Sequence, residues 1–140
     1  MANYLEVMIE VIFHATEDSG KIFQPISDLF QIKEEEFSQE RILGHYGNPI
    51  LLTKARLVKK RAEEFVKKLA LKISKPQMIE IIENMDMHFE DYSLFLRISK
   101  NDLVRNQISI AQNNAVKIRI KMPIYKKDEI IEKYKELLNV

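Results

Sequence analysis

Between Leu5 and Phe13 every odd position is apolar (Leu5, Val7, Ile9, Val11, Phe13), whereas the even ones bring Glu6, Glu10 and then His14. That alternation predicts a strand with one buried face. Thr16 is placed to cap a following helix, with Glu17 and Asp18 at its positive end, and Ile22, Phe23, Ile26, Leu29 and Phe30 then fall at helical spacing. Pro25 inside that stripe predicts a kink or an early break. Lys33 to Glu36 read as a solvated acidic link, and residues 37–43 as a short strand entering a turn at Gly44 to Pro49. From Thr53, read as an N-cap, a long helix is expected to about Ile73, with Val58, Ala62, Phe65, Val66, Leu69 and Ile73 on its core side. Ser74-Lys75-Pro76-Gln77 has the spacing of a capping box, so a second helix starts there and carries Met78, Ile79, Ile81 and Ile82.

Past Asn84 the period returns to two. Met85, Met87 and Phe89 alternate with polar residues, Asp91-Tyr92-Ser93 reads as a turn, and Leu94, Leu96 and Ile98 alternate with Phe95 and Arg97, which predicts a hairpin. One helical turn within 100–107, a strand with Ile108 and Ile110 inward and a turn at Asn113-Asn114 follow. In the clearest strand Val116, Ile118, Ile120 and Met122 point one way and Lys117, Arg119 and Lys121 the other. Asp128 caps a final helix over 128–138 with Ile130, Ile131, Tyr134, Leu137 and Leu138 on one stripe. The whole is an α+β pattern, an antiparallel (mixed) sheet with helices packed on one face. By alternation the other face shows Phe95, Arg97, Ser109, Lys117, Arg119 and Lys121, with Glu6 and Glu10 among them.

A chain of 140 residues with 46% hydrophobic residues suits one domain over 1–140 and one core. Its formal net charge is +1, so affinity for a polyanion must come from where the charges sit rather than from their sum. The absence of cysteine removes disulfides, thiolate nucleophiles and cysteine-held zinc, and fits a reducing cytoplasm. Glu6 and Glu10 interrupt the first apolar run, which therefore reads neither as a signal peptide nor as a membrane span.

Charge distribution is where the chain departs from the ordinary. The outward side of the helix expected after Thr53 gathers Lys54, Arg56, Lys60, Arg61, Lys67, Lys68 and Lys72 against Glu64, where a solvated face mixes signs. An open sheet with an exposed aromatic and a row of cations can stack bases and pair phosphates. His14, His45 and His88 fall in different elements at no ligand spacing, the serines have no nucleophile context, and three glycines form no phosphate loop, so neither a metal, a cofactor nor catalysis is predicted.

Four segments, Phe13-His14-Ala15-Thr16-Glu17-Asp18, Gly44-His45-Tyr46-Gly47-Asn48-Pro49-Ile50, Leu94-Phe95-Leu96-Arg97-Ile98-Ser99-Lys100 and Val116-Lys117-Ile118-Arg119-Ile120-Lys121, occur in an order and over a span that resemble the archaeal RNA-binding proteins labelled predicted exosome subunits. That resemblance implies a fold like the ribosomal protein that binds 5S rRNA. It also implies non-catalytic binding of structured RNA, connected with RNA processing or ribosome assembly and with a larger RNA-processing complex as partner. The chain departs from the family pattern at Asn101, at Arg105-Asn106-Gln107 and at Asn113-Asn114, where the family has a glutamine, a glycine and an acidic pair.

Together these readings place RNA against a basic helix (Lys54, Arg56, Lys60, Arg61, Lys67, Lys68), the loop residues His45, Tyr46 and Asn48, and the sheet cations Arg97, Lys100, Lys117, Arg119 and Lys121. They require the loop and the basic helix to share one connected positive surface. The alternative is a protein–protein adaptor, which requires an exposed apolar patch such as the stripe of the last helix. That helix is either core cover or an oligomer contact, the latter giving a homodimer. A hydrolase would require a histidine and a carboxylate to converge in a pocket.

Overall fold

The computed structural model describes residues 4–123 and 129–138. Its centre is β1 (Glu6–His14), whose odd residues are all buried and which hydrogen-bonds on both sides. Six strands lie in the order β2-β3-β1-β6-β5-β4, where β2 is Ser38–Leu43, β3 Pro49–Val58, β4 Phe89–Glu90, β5 Ser93–Ser99 and β6 Ala115–Lys121. Every described pairing is antiparallel, so the sheet has no mixed portion among these strands. The helices are α1 (Gly20–Phe30), α2 (Lys59–Lys72), α3 (Lys75–Glu83), α4 (Lys100–Leu103) and α5 (Ile130–Leu138). The stripes that α1, α2, α3 and α5 bury join the inner face of the sheet in one hydrophobic cluster, including Val7, Ile9, Phe23, Phe65, Ile118 and Tyr134. The α+β architecture expected from the periodicity is the one found.

The largest departure lies between Pro49 and Val58. This segment is a strand, and α2 begins only at Lys59. Thr53 is not an N-cap; it is fully buried, and its hydroxyl donates to the Val11 carbonyl at 2.9 Å. Thr53, Ala55 and Leu57 point into the core while Lys54 and Arg56 point out, a period of two that a polar residue inside and the apolar Leu52 and Val58 outside had disguised. The turn at Gly44 to Asn48 therefore closes a β-hairpin. The Gly44 amide donates to the Asn48 carbonyl and the Gly47 amide to the Gly44 carbonyl at 2.9 Å, with Gly47 at φ 79°.

Smaller differences have local causes. α1 starts at Gly20, not after Thr16, because the Glu17 and Asp18 carboxylates bend the chain back on the His14 and Gly20 amides. Pro25 does not end α1, which continues to Phe30 with the ring buried. The expected strand at Met85 is a 3-10 turn over Met85–His88 that buries Met85 and leaves Met87 exposed, so β4 has only two residues. Ile110 makes a single bridge to Ile98 rather than a strand; the Ser109 carbonyl accepts from the Ser99 amide at 2.8 Å and its hydroxyl donates to Asp102. The cap read at Asp128 lies outside the described residues, but Tyr134 and Leu138 of the last helix are buried as expected. No described helix is long and apolar enough to cross a membrane.

Candidate nucleic-acid interface

Because β1 sends its odd residues into the core, its even residues and their cross-strand partners make up the uncovered face of the sheet. Register then fixes which side chains are neighbours. Met8 faces Arg56 on one side and Arg119 on the other, and Arg119 faces Phe95. In the next row Lys54, Glu10, Lys117 and Arg97 stand side by side. Glu6 is flanked by Val58 and Lys121. Three strands, β3, β5 and β6, thus bring six cations (Lys54, Arg56, Arg97, Lys117, Arg119, Lys121) to one face, with the half-buried ring of Phe95 beside those of β5 and β6.

The strand assignment of β3 moves Lys54 and Arg56 from the expected helix to this sheet, a correction that strengthens the face. Successive outward cations of β6 are two residues apart, about 6.6 Å along the strand, in a fixed row no mobile loop could hold.

The face is not uniformly positive. Glu6 takes hydrogen bonds from Arg56 at 2.9 Å and from Arg119 at 3.4 Å. The bond from Arg56, with the charges of Arg119 and Lys121 nearby, outweighs the partial burial of Glu6 and holds its carboxyl below the usual range. Glu10 sits between Lys54 and Lys117 with no ion pair within 4 Å among the described residues. The buried Nε of Arg119 has no acceptor among the described residues, so this guanidinium keeps an unspent donor under the open face.

Lys100, expected on the same surface, is elsewhere. It is buried, and its ammonium donates to the Ile12 carbonyl and to the Glu17 carboxylate, the latter at 3.1 Å. A cation consumed in this way is an internal strut, not a contact for a ligand.

α2 packs Ala62, Phe65, Val66 and Leu69 against the core on the opposite side of the sheet, so its outward cations face away from the open face. With the Gly44–Asn48 turn at the end of β3 away from the start of α2, the single surface expected to join the loop and the basic helix is not formed. Without Lys54 and Arg56 the helix also carries Glu63 and Glu64 among its cations. Arg61 is paired with Glu36 (3.1 Å from Nη2), and Lys68 with the Gln31 side chain. The acidic link is therefore an anchor for α2: Arg61 and the Lys33 amide hold the Glu36 carboxyl below its ordinary value against the opposing effect of burial. Lys60 and Lys67 remain exposed on that outer side.

The loop residues lie at the tip of the β2–β3 hairpin, at the end of β3 away from the start of α2. β2 is exposed throughout, and Tyr46 at the tip is 91% exposed, its ring edge-on to His45 at 4.9 Å. Asn48 packs at the base of the turn, where a methyl on Gly44 would come within 2.7 Å of its side-chain oxygen. His14 closes β1 and His88 sits in the 3-10 turn before β4, so the three histidines occupy separate places. Among the described residues no three His, Asp or Glu side chains gather to hold a metal ion.

A feature the sequence did not single out is a cleft of about 390 Å³ beside Phe95, walled by the end of α3, the 3-10 turn, β4 and residues 110–112. Arg97, Gln112 and Lys117 form its border with a second depression of about 320 Å³ over Glu10 and Ile12. Only the tertiary placement of the end of α3 and of the 3-10 turn at the rim of the open face makes this cleft, which is why strand alternation could not show it.

Comparison with known proteins points the same way as this face. The chain is 25% identical over 141 residues to a protein of Pyrococcus abyssi named as an RNA-binding protein, covering 94% of this chain and 92% of that one. A solved protein of Archaeoglobus fulgidus superposes with a TM-score of 0.83 at 26% identity, over 96% of this chain and 99% of the other. One from Sulfolobus solfataricus gives 0.75 at 27%, over 96% and 97%. Both are DUF54 proteins. A family model described as RNA binding matches residues 6–122, from the first strand to just past the last, and the chain belongs to that RNA-binding family.

Proposed function

We propose that this protein binds structured RNA, without catalysis, on the open face of its sheet. The observation that carries the reading is the cross-strand array that brings Lys54, Arg56, Arg97, Lys117, Arg119 and Lys121 to one face of the sheet, with Arg119 opposite Phe95. Cations at fixed spacing supply salt-dependent affinity through phosphates, and an aromatic among them supplies a stacking platform. Membership of the RNA-binding family and the name of the Pyrococcus relative support the ligand class. The exposed hairpin, with His45, Tyr46 and Asn48 at its turn, extends the contact beyond the sheet edge. Lys60 and Lys67 of α2 are a separate basic patch that takes no part in the same contact. A role in RNA processing or ribosome assembly and within a larger complex rests on the family resemblance, and a cytoplasmic location on the absence of cysteine and the reading of the first apolar run.

The test is a mobility shift with structured RNA across a salt series. A Lys54→Glu, Lys117→Glu variant is expected to lose most binding and to flatten the salt slope by one or more phosphate equivalents, about 0.7–0.9 each. A Lys60→Glu, Lys67→Glu variant is expected to bind like wild type. The opposite pattern would move the RNA site to α2.

One observation favours docking on another protein as a second reading. The hairpin tip exposes Leu43 at 75% beside Tyr46. The stripe of the last helix, where an adaptor patch was expected, is instead largely spent on the core through Tyr134 and Leu138.

A further inference from the structure

We infer that the cleft beside Phe95 captures a single unpaired nucleotide of the bound RNA, one whose base carries an exocyclic amino group. The inference rests on the RNA reading above and adds to it a pocket and a base class. A cleft of about 390 Å³ falls in the range of small-ligand sites. Its lining is divided by chemistry. Phe95, Met87, Phe89 and Ile110 supply apolar and aromatic surface, which suits the faces of a base. Glu80 and Glu90 lie on the walls contributed by α3 and β4, with Asn84, His88 and Gln112 beside them; the Asn84 amide is already engaged by Glu80. Arg97 and Lys117 occupy the border shared with the depression over β1 and β6.

This arrangement selects the orientation of the guest. Two carboxylates repel a phosphate from the α3 and β4 walls, whereas Arg97 and Lys117 attract it to the border. The backbone of the RNA therefore follows the depression over Glu10 and Ile12, and the base turns into the cleft. There Glu80 and Glu90 accept hydrogen bonds but, when ionised, give none. Guanine, which offers adjacent ring and amino N–H groups, satisfies them best; cytosine and adenine offer an amino group; uracil would set carbonyl oxygens against carboxylates. A paired base cannot enter, because its edge is occupied and its faces are stacked.

The experiment titrates a fully paired RNA hairpin, and the same hairpin carrying one bulged guanine or one bulged uracil, into wild type, Phe95→Leu and Glu90→Gln. Wild type is expected to bind the bulged RNA about tenfold more tightly than the paired one, as one base–aromatic stack warrants. Phe95→Leu, a change at a half-buried surface position, is expected to erase that preference, weakening binding of the bulged RNA about tenfold more than that of the paired RNA. Glu90→Gln is expected to keep a bulge preference but to narrow the gap between bulged guanine and bulged uracil. Equal binding of bulged and paired RNA by wild type, or an unchanged preference in Phe95→Leu, overturns the pocket while leaving the RNA surface standing. Failure of wild type to bind either RNA at low salt overturns both.

Discussion

Lys100 and Glu17, from the start of α4 and the turn after β1, meet at 3.1 Å in a largely buried ion pair. The Lys100 ammonium also holds the Ile12 carbonyl and lies over the Phe13 ring at 5.1 Å. The pair fastens the end of the central strand to the far half of the sheet. It also joins two segments that the family resemblance picked out separately.

Removing one partner is therefore expected to cost more than an exposed ion pair would. Glu17→Ala leaves an ammonium buried without its counter-ion and is expected to destabilise by about 3 kcal/mol. Lys100→Met leaves the Ile12 carbonyl short of a donor and the Glu17 carboxylate without its cation. That carboxylate is part-exposed and keeps the His14 amide, so the cost is about 1–3 kcal/mol. Urea midpoints of the two variants test the order. Burial works to raise the Glu17 carboxyl, but the His14 amide and Lys100 together hold it below its usual 4.5. A depressed carboxylate stabilises the fold above the unfolded value and loses that contribution as pH falls through the folded one. Wild type should thus weaken below about pH 4.5, and Glu17→Ala should show less of this acid sensitivity.

Thr53 distinguishes a strand from a helix start. At an N-cap, Thr53→Asp would be neutral or better. In the interior of β3 it buries a carboxylate with no cation, and the expected loss is several kcal/mol. Thr53→Val keeps the volume and loses the bond to Val11, for about 1 kcal/mol. Thermal unfolding of both variants checks the pair.

Tyr134 ties α5 to the sheet. Its hydroxyl lies 2.7 Å from the Tyr92 carbonyl and 2.9 Å from that of Ile120, and its ring meets Phe89 at 5.1 Å. Tyr134→Phe is expected to cost about 1 kcal/mol with the ring packing retained. Burial pushes the phenol up to about 12. A raised phenol favours the fold below the unfolded value near 10 and loses that contribution as pH climbs toward 12. Alkaline titration of wild type should loosen α5 in that window, and Tyr134→Phe should not share the transition.

Glu6 restrains the open face by engaging both Arg56 and Arg119. Glu6→Gln removes a negative charge from among the cations and frees both guanidiniums. RNA affinity at low salt is expected to rise several-fold, with a steeper salt dependence by about one phosphate equivalent. Unchanged affinity in a folded variant would show that this pair lies outside the contact.

Where alternation was clean, as in β1, β5 and β6, the sequence predicted both the strand and its outward residues, and the open face followed from them. β3 was misread because Thr53 and Ala55 are weak signals of burial, while Val58 and Ala62 fall at helical spacing and extend the pattern of α2 backwards. Lys100 was misplaced for a different reason. A lysine at the end of a strand looks solvated until a carboxylate more than eighty residues away is brought beside it. The cleft by Phe95 was invisible for the same reason, since its walls come from segments that only the folded chain brings together.

β1 is paired on both edges along its first half and sealed on one face, whereas β2 is an edge strand exposed on both faces. Amide protons of these two strands should therefore report different events. Those of β1 exchange only when the whole domain opens, and those of β2 exchange through local fraying that leaves the core intact. The sheet so grades from a rigid platform to a compliant arm, and the hairpin can adjust to the contour of a large ligand while the cations of β6 hold their spacing.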